Sequence, residues 1–390
     1  MGKAALRIVE RPSFYTEEVE LWAPDTAHNA HSLHYVILLP DSFPPELPAF
    51  FLRKYSRRGE TVLDPFSGSG TSALEAALAG RVAYASDANP LCVKVTRAKL
   101  EPVDIPEVTL WLQALNLSRP IGLEQYRKIF SPFYDIDTFR EIVNLRSRLN
   151  EQKDRTARFV ELIALSLLHG HTAGYFSVFS FPQISLSSAD QARMNDKRCQ
   201  SPEYRAVVPR LLRKAAMAVR DGLPSILKQT AAYNRLAQAD ARDLSYVPSS
   251  SVDLVITGPP LPGGHDYTPD LWLKSWFAMV DTEQVAGRLF SGVELSSWRE
   301  FMNEVLLELA RVTKSSGRAV FDLREVKLGE QFICLDHELV SLVEDNLARY
   351  WEPECVLVHK NRSATLKDSL KERPEVRLRN SYRILVLRRR

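Results

Sequence analysis

The chain has 390 residues, 45% of them hydrophobic, with 51 basic against 48 acidic side chains. That size allows one large α/β domain with insertions or two domains, and the apolar fraction excludes a largely disordered chain. A formal net charge of +3 does not by itself indicate nucleic acid, so any basic surface must be local. The four cysteines, Cys92, Cys199, Cys334 and Cys355, are far apart and form no CxxC pair. They read as reduced, mostly buried thiols of a cytoplasmic protein. No apolar run approaches the roughly eighteen residues of a membrane span, and the first six residues lack an apolar signal core. The expectation is a soluble protein with no membrane partner.

Residues 1–60 are rich in proline and aromatics and read as an irregular lead-in, with a helix starting near Pro45. Strand 62–66 then breaks at Ser67-Gly68-Ser69-Gly70-Thr71 into a helix over 70–79. Strand 82–86 follows and meets Asp87, and a helix over 90–99 completes a βαβα run, the mark of a parallel sheet with helices on both faces. Residues 101–230 read as a mostly helical insert, with helical apolar spacing at Phe139-Ile142-Val143 and across 159–165. The alternation resumes with strand 236–240 and its terminal Asp240. Strand 251–257 comes next, bounded by Gly258-Pro259-Pro260. Helix 299–313, strand 318–323, helix 336–349, strand 355–359 and strand 382–387 complete the count, the last two as an antiparallel edge pair. The pattern predicts an α/β, doubly wound, mostly parallel seven-stranded sheet. Its halves lie in 1–100 and 231–390, parted by the insert at 101–230.

Glycines in the 67–71 turn let a ligand approach the backbone, and the helix start at Thr71 offers unpaired N–H groups. Asp64, Asp87 and Asp240 stand at three strand ends, on the edge of a doubly wound sheet where ligands bind. Helix capping and turn formation are the competing explanations for Asp87 and Asp240. No Lys follows the second glycine, which argues against a P-loop, and the GxGxxG spacing of dinucleotide sites is absent.

Asp64-Pro65-Phe66-Ser67-Gly68-Ser69-Gly70-Thr71 is similar to the cofactor motif DPFxGSGT of the S-adenosylmethionine-dependent DNA amino-methyltransferases, which methylate the exocyclic amine of cytosine or adenine. Val252 to Leu261 resembles their catalytic strand and loop, and Asp266-Tyr267-Thr268 resembles the short tail that often follows. The similarity spans about two-thirds of the chain. It implies a Rossmann-like methyltransferase fold that binds S-adenosylmethionine. Asp64 would pair with the cofactor's ammonium, Asp87 with its ribose hydroxyls and Asp240 with its adenine amine, while Pro65, Phe66, Gly68, Ser69, Gly70 and Thr71 would form the cradle. The catalytic set implied is Gly258, Pro259, Pro260 and Leu261, with Asp266 and Tyr267 downstream.

The loop departs from the family pattern, SPPY or DPPY, at both side-chain positions. Gly258 has no acceptor and Leu261 no aromatic face, although such a loop must hold a weakly nucleophilic amine in line and stack the extruded base. Asp266 and Tyr267 are the candidates to compensate. Thr257 before the loop favours cytosine N4 over adenine N6. Basic residues cluster at Arg193, Lys197, Arg198, Arg205, Arg210, Arg213 and Lys214, and again at Arg362, Lys367 and their neighbours. They read either as phosphate-tracking faces or as solvated helix faces. His169-Gly170-His171 lacks a metal-ligand pattern and reads as structural. The expected function is therefore site-specific DNA methylation, with DNA as partner and the insert as a target-recognition region. A catalytically impaired cofactor- or DNA-binding relative and an RNA base methyltransferase are the rivals. A restriction or defence partner, the recognition sequence and the oligomeric state stay open.

Overall fold

Short apolar runs that bury both faces build the centre of the molecule. In β2 (Thr61–Asp64), Val62 packs into one apolar cluster and Leu63 into another. In β5 (Val252–Thr257), Leu254 and Ile256 face the first cluster and Val255 the second. That alternation with a period of two, buried on both sides, is what a parallel sheet covered by helices requires. The computed structural model describes residues 16–18, 30–37, 39–182, 184–263, 267–328, 331–360 and 381–390.

The remaining strands of the main sheet are β1 (Thr16–Glu18), β3 (Val82–Asp87), β4 (Arg235–Gln238), β6 (Thr313–Leu323), β9 (Trp351–Lys360) and β10 (Ser381–Arg389). The order across it is β1-β9-β10-β6-β5-β2-β3-β4. All neighbours run parallel except β10, which is antiparallel to both β6 and β9. The seven expected strands are all present, and the doubly wound, mostly parallel architecture is as the sequence predicts. Two details differ. β10 lies between β6 and β9 rather than at an edge, and β1 adds an eighth strand beyond β9. The three residues of β1 are Thr, Glu and Glu, so no apolar alternation announces them. A separate hairpin pairs β7 (Glu325–Leu328) with β8 (Gln331–Cys334).

The chain winds outward from β2 through β3 to β4, then returns to β5 on the other side of β2. The crevice above the ends of β2 and β5 is thus the point where strand order reverses, the preferred ligand position in such sheets. Helices α2 (Thr71–Leu78) and α3 (Pro90–Leu100) cover one face, and α13 (Leu295–Val312) and α14 (Leu335–Leu342) the other. Asn89 caps α3 by accepting from the Leu91 N–H, and Pro90 occupies the first turn, where its missing N–H is harmless. α1 (Glu46–Tyr55) precedes β2.

The insert holds α4 (Ile105–Gln113), α5 (Ile136–Glu151), α6 (Arg155–Leu167), α7 (Ser188–Arg198), α8 (Val207–Ala218) and α9 (Ser225–Thr230). Asp135, Asp154 and Ser187 cap α5, α6 and α7. Phe159, Leu162 and Ile163 of α6 share one apolar cluster with Leu91 and Val95 of α3, so the insert extends the sheet's helical layer and has no separate core. The Gly258–Leu261 loop is followed by three short helices, α10 (Tyr267–Asp270), α11 (Trp272–Phe277) and α12 (Thr282–Ala286). The insert grips the middle one. Phe130 and Phe133 pack against Trp272, and Phe139 stacks on Trp276. The Trp272 Nε1 donates to the Leu186 carbonyl at 2.9 Å, and Arg146 donates to the Trp276 carbonyl at 2.8 Å. Among the described residues no helix is long and apolar enough to cross a membrane.

Candidate active site

A cleft open to solvent lies at the strand-reversal point. It is lined by the 65–69 turn, Thr71, Asp87, Asp240, the whole Gly258–Leu261 loop and Tyr267. The turn follows from its glycines. Gly68 and Gly70 take φ of 48° and 80°, the left-handed region that a side chain disfavours. Gly68 donates its N–H to Asp87 Oδ2 at 2.9 Å, and a Cβ there would meet nothing nearer than 3.9 Å, which leaves its backbone bare toward a ligand. Gly70 has a different reason. A Cβ there would come within 2.8 Å of Thr96 Oγ1 and 3.0 Å of Thr96 Cα, so its absence lets the start of α2 rest on α3. Gly70 thus has a packing role within the turn, between Ser69 and Thr71, which line the cleft.

The three strand-end acids also part ways. Asp64 is 2% exposed and stands behind the cleft wall. Its Oδ1 accepts from Thr257 Oγ1 at 2.6 Å and from the Phe66 N–H at 3.1 Å, tying the end of β2 to the end of β5. The Asp64 side chain thus turns toward the neighbouring strand. Burial pushes its carboxyl up to about 6, against the pull of those hydrogen bonds. Asp87 lines the cleft and accepts from Gly68 N and Asn89 N, each at 2.9 Å, and burial raises it to about 6 as well. Asp240 lies just past β4. It accepts from Arg242 Nε at 3.0 Å and Nη2 at 2.8 Å, and although burial opposes ionisation, the guanidinium holds its pKa below the ordinary value. A carboxylate has about four lone-pair sites, so Asp87 and Asp240 both keep acceptor capacity toward the cleft. An aromatic wall also lines the cleft, with Phe301 stacked on Phe290 at 4.8 Å and 6.0 Å from Phe66.

The Gly258-Pro259-Pro260-Leu261 loop lines the cleft too. The Pro260 carbonyl accepts from Trp298 Nε1 at 2.8 Å and is thereby committed. Leu261 packs against the second apolar cluster. Phe43 stands beside Gly258, 3.5 Å from where a Cβ would sit, so an aromatic ring borders the loop from another element. Tyr267 donates its hydroxyl to Asp41 Oδ2 at 3.0 Å. Asp266 lies outside the described residues.

Sequence reasoning missed one side of this cleft. Asp41, Ser42 and Phe43, from the lead-in, line it together with Asp322 and Arg324 from the end of β6. Ser42 Oγ bonds Ser69 Oγ at 2.9 Å, and Ser69 in turn bonds Thr71 at 3.2 Å, so this loop is laced to the glycine turn. Arg324 lies 3.9 Å from Asp41 and 3.8 Å from Asp322. Burial alone would lower its pKa, yet the two carboxylates hold it above the ordinary value. Asp322 had a legible signal, since it stands at a strand end like the three acids chosen. The lead-in had none.

The basic cluster of the insert is thinner than its spacing suggests. Arg210 donates to the Ala173 and Ala206 carbonyls, and Lys214 is half-buried, with its pKa lowered by that burial. Both therefore make internal contacts, and each keeps only part of its side chain at the surface. Arg205 turns inward, donating to the carbonyls of Tyr175 and Ser177. Arg193 pairs with Asp190 within its own helix, and Arg198 lies 3.7 Å from the Phe179 ring centre. Lys197 and Arg213 are exposed. Arg362 and Lys367 lie outside the described residues. His169 is buried; its Nδ1 bonds the Phe181 carbonyl, and its Nε2 meets Lys274 Nζ at 2.8 Å. No cluster of metal-ligating side chains occurs among the described residues.

Comparison with known proteins bears on the same region. Residues 14–98 match the family of DNA methylases of the N6 and N4 type, and the resemblance read from the motif holds over that segment. No curated protein matches the chain. Similar solved structures include the rRNA methyltransferase aviRa from Streptomyces viridochromogenes, 12% identical over 93% of this chain and 92% of that one, with a TM-score of 0.34. An S-adenosylmethionine-dependent methyltransferase from Methanosarcina mazei is also 12% identical, over 90% of this chain and 98% of that one, with a TM-score of 0.34. A candidate DNA modification methylase from Thermus thermophilus, complexed with S-adenosyl-L-methionine, is 17% identical over 39% of this chain and 53% of that one, with a TM-score of 0.22.

Proposed function

We propose that this chain, whose residues 14–98 match the DNA methylase family, transfers a methyl group from S-adenosylmethionine to an exocyclic base amine in DNA, with cytosine N4 as the target. The observation that carries this reading is a convergence. The bare backbone of Gly68, the carboxylates of Asp87 and Asp240, and the Gly258-Pro259-Pro260 corner line one cleft, although they come from segments up to about 190 residues apart.

The cleft suits the cofactor chemically. Asp87 and Asp240 are acceptors for ribose hydroxyls and an adenine amine, and Phe66, Phe290 and Phe301 give aromatic surface for a purine. Ser42, Ser69 and Thr71 put hydroxyls beside the start of α2, whose N-terminus favours a carboxylate. Asp64 acts from behind the wall. Its ionised form adds negative potential near a cationic sulfonium, and its bond to Thr257 keeps the glycine turn and the Pro-Pro corner at a fixed separation. When bound, S-adenosylmethionine supplies an electrophilic methyl group: the amine nitrogen bonds to the methyl carbon as the carbon–sulfur bond breaks, its electron pair staying on sulfur. The chain's own part is to exclude water, hold the amine in line and accept its surplus proton. Phe43, beside Gly258, and Tyr267 line the same cleft and provide aromatic surface that Leu261 lacks.

Unmethylated DNA incubated with protein and cofactor, digested to nucleosides and analysed by mass spectrometry, should contain N4-methylcytosine. N6-methyladenine instead would retain the reaction and change the base; no methylated nucleoside in DNA would defeat the proposal. The second reading is a relative that keeps cofactor binding without turnover, favoured by Gly258 and Leu261. Cofactor binding without any methylated product supports it.

A further inference from the structure

The missing acceptor at Gly258 has a neighbour able to replace it. β5 and β6 run parallel with Thr257 level with Phe321, so position 258 is level with Asp322. Ile256 and Val320 turn into the same apolar cluster, while Phe321 turns into the other. By the two-residue alternation, the absent side chain of Gly258 and the carboxylate of Asp322 belong to one face. The two residues are adjacent: a Cβ at Gly258 would lie 3.8 Å from the Asp322 backbone carbonyl oxygen and 3.5 Å from the Phe43 ring. Asp322 lines the cleft although it is only 4% exposed. Its carboxylate shares Arg324 with Asp41, and Asp41 takes the Tyr267 hydroxyl. Three chain segments, the end of β6, the lead-in and Tyr267, are thus linked through that carboxylate beside the Pro-Pro corner.

We propose that Asp322, on the strand next to the Gly258 loop, is the hydrogen-bond acceptor for the target base amine, with Arg324 and Asp41 as positioning residues. This rests on the methyl-transfer reading and adds to it a specific residue and its chemistry. The amine N–H donates to the Asp322 carboxylate. As the nitrogen gains its methyl group it carries one proton too many, and that proton passes to the carboxylate and then to water, leaving a neutral methylamine. An anionic acceptor selects a base edge that donates, cytosine or adenine, against its carbonyl counterpart.

The test has one arm without turnover. The full-length protein, with S-adenosylhomocysteine in the cleft, is titrated with cytidine against uridine and with adenosine against inosine, followed by NMR. One amine should bind about tenfold more tightly than its carbonyl partner. D322N, whose amide also donates, should abolish or reverse that preference while leaving S-adenosylhomocysteine affinity unchanged. Equal responses within both pairs, including none, or a preference that survives D322N, would overturn the assignment. In the second arm D322N should slow methyl transfer about a hundredfold, the scale expected for a contact of about 3 kcal/mol. Adding Gly258→Asp to D322N should recover part of that loss, because position 258 has ordinary van der Waals room for a side chain. Rescue separates a lost acceptor from a damaged fold; no rescue with folding intact counts against the proposal. Transfer by the native protein that D322N leaves within about threefold overturns the role of Asp322 alone. Absence of transfer by the native protein overturns the methyl-transfer reading instead, and the nucleoside arm still decides whether Asp322 selects an amine.

Discussion

Replacing Asp64 by Asn removes a charge that burial makes unfavourable while keeping an oxygen for Thr257 Oγ1 and the Phe66 N–H. Burial lifts the native carboxyl from 3.8 to about 6. A folded pKa above the unfolded one means that the folded chain binds the extra proton between those two values. Stability contributed by this group is therefore full below about 4 and is lost as pH rises toward 6 and beyond. At about 1.4 kcal/mol per unit, the loss approaches 3 kcal/mol at neutral pH and is only about 0.5 kcal/mol near pH 4. The D64N variant carries no such term, although its amide nitrogen needs a new acceptor and leaving it unmet costs about 1–3 kcal/mol. The absolute stability of D64N is thus nearly balanced, but its pH dependence is not. The gap between D64N and native protein should move in favour of D64N by about 2 kcal/mol from pH 4 to pH 7. Urea unfolding midpoints with unchanged slopes measure this directly. A gap that stays constant with pH, or moves the other way, would refute the claim that burial outweighs the hydrogen bonds to this carboxylate.

Three further outcomes follow from particular contacts. Gly70→Ala places a Cβ against Thr96 in a left-handed backbone, and should lower stability by about 2–4 kcal/mol in thermal or urea unfolding; a loss below about 0.5 kcal/mol contradicts the packing role. Lys274 and Lys99 are buried and held down to about 7. Folded chains then bind fewer protons than unfolded ones between about 7 and 10.5, so stability should rise with pH across that window, and Lys274→Met should flatten part of the rise. Changing the exposed Lys197 and Arg213 to Gln should reduce the slope of log affinity for duplex DNA against log salt by about 0.9 for each contact removed, leaving cofactor affinity untouched; an unchanged slope removes this face from the DNA path.

Much of the fold was legible because its signals are local. Apolar runs bounded by Gly and Pro marked the strands, and the acid ending a strand marked the edge where the cleft opens. Side-chain direction was not legible. A strand-end position fixes how high Asp64 sits on the sheet, not that it turns toward Thr257 and leaves the cleft to Asp87 and Asp240. Gly70 belongs to a ligand-binding pattern, yet its constraint is Thr96, 26 residues away. Helical spacing gathers Arg210 and Lys214 with exposed cations and is silent about the carbonyls and burial that absorb them. The loop at Asp41–Phe43 shows no periodicity, and its place in the site comes from Tyr267 and Arg324, more than 220 residues downstream.

Calorimetric titration of S-adenosylmethionine into the full-length protein, alongside Asp240→Ala and Phe301→Ala, tests the central claim most directly. Saturable one-to-one binding by the native chain, weakened about tenfold or more in each variant, is the predicted result. No heat with the native protein, or equal affinity in all three, would contradict the assignment of this cleft to the cofactor.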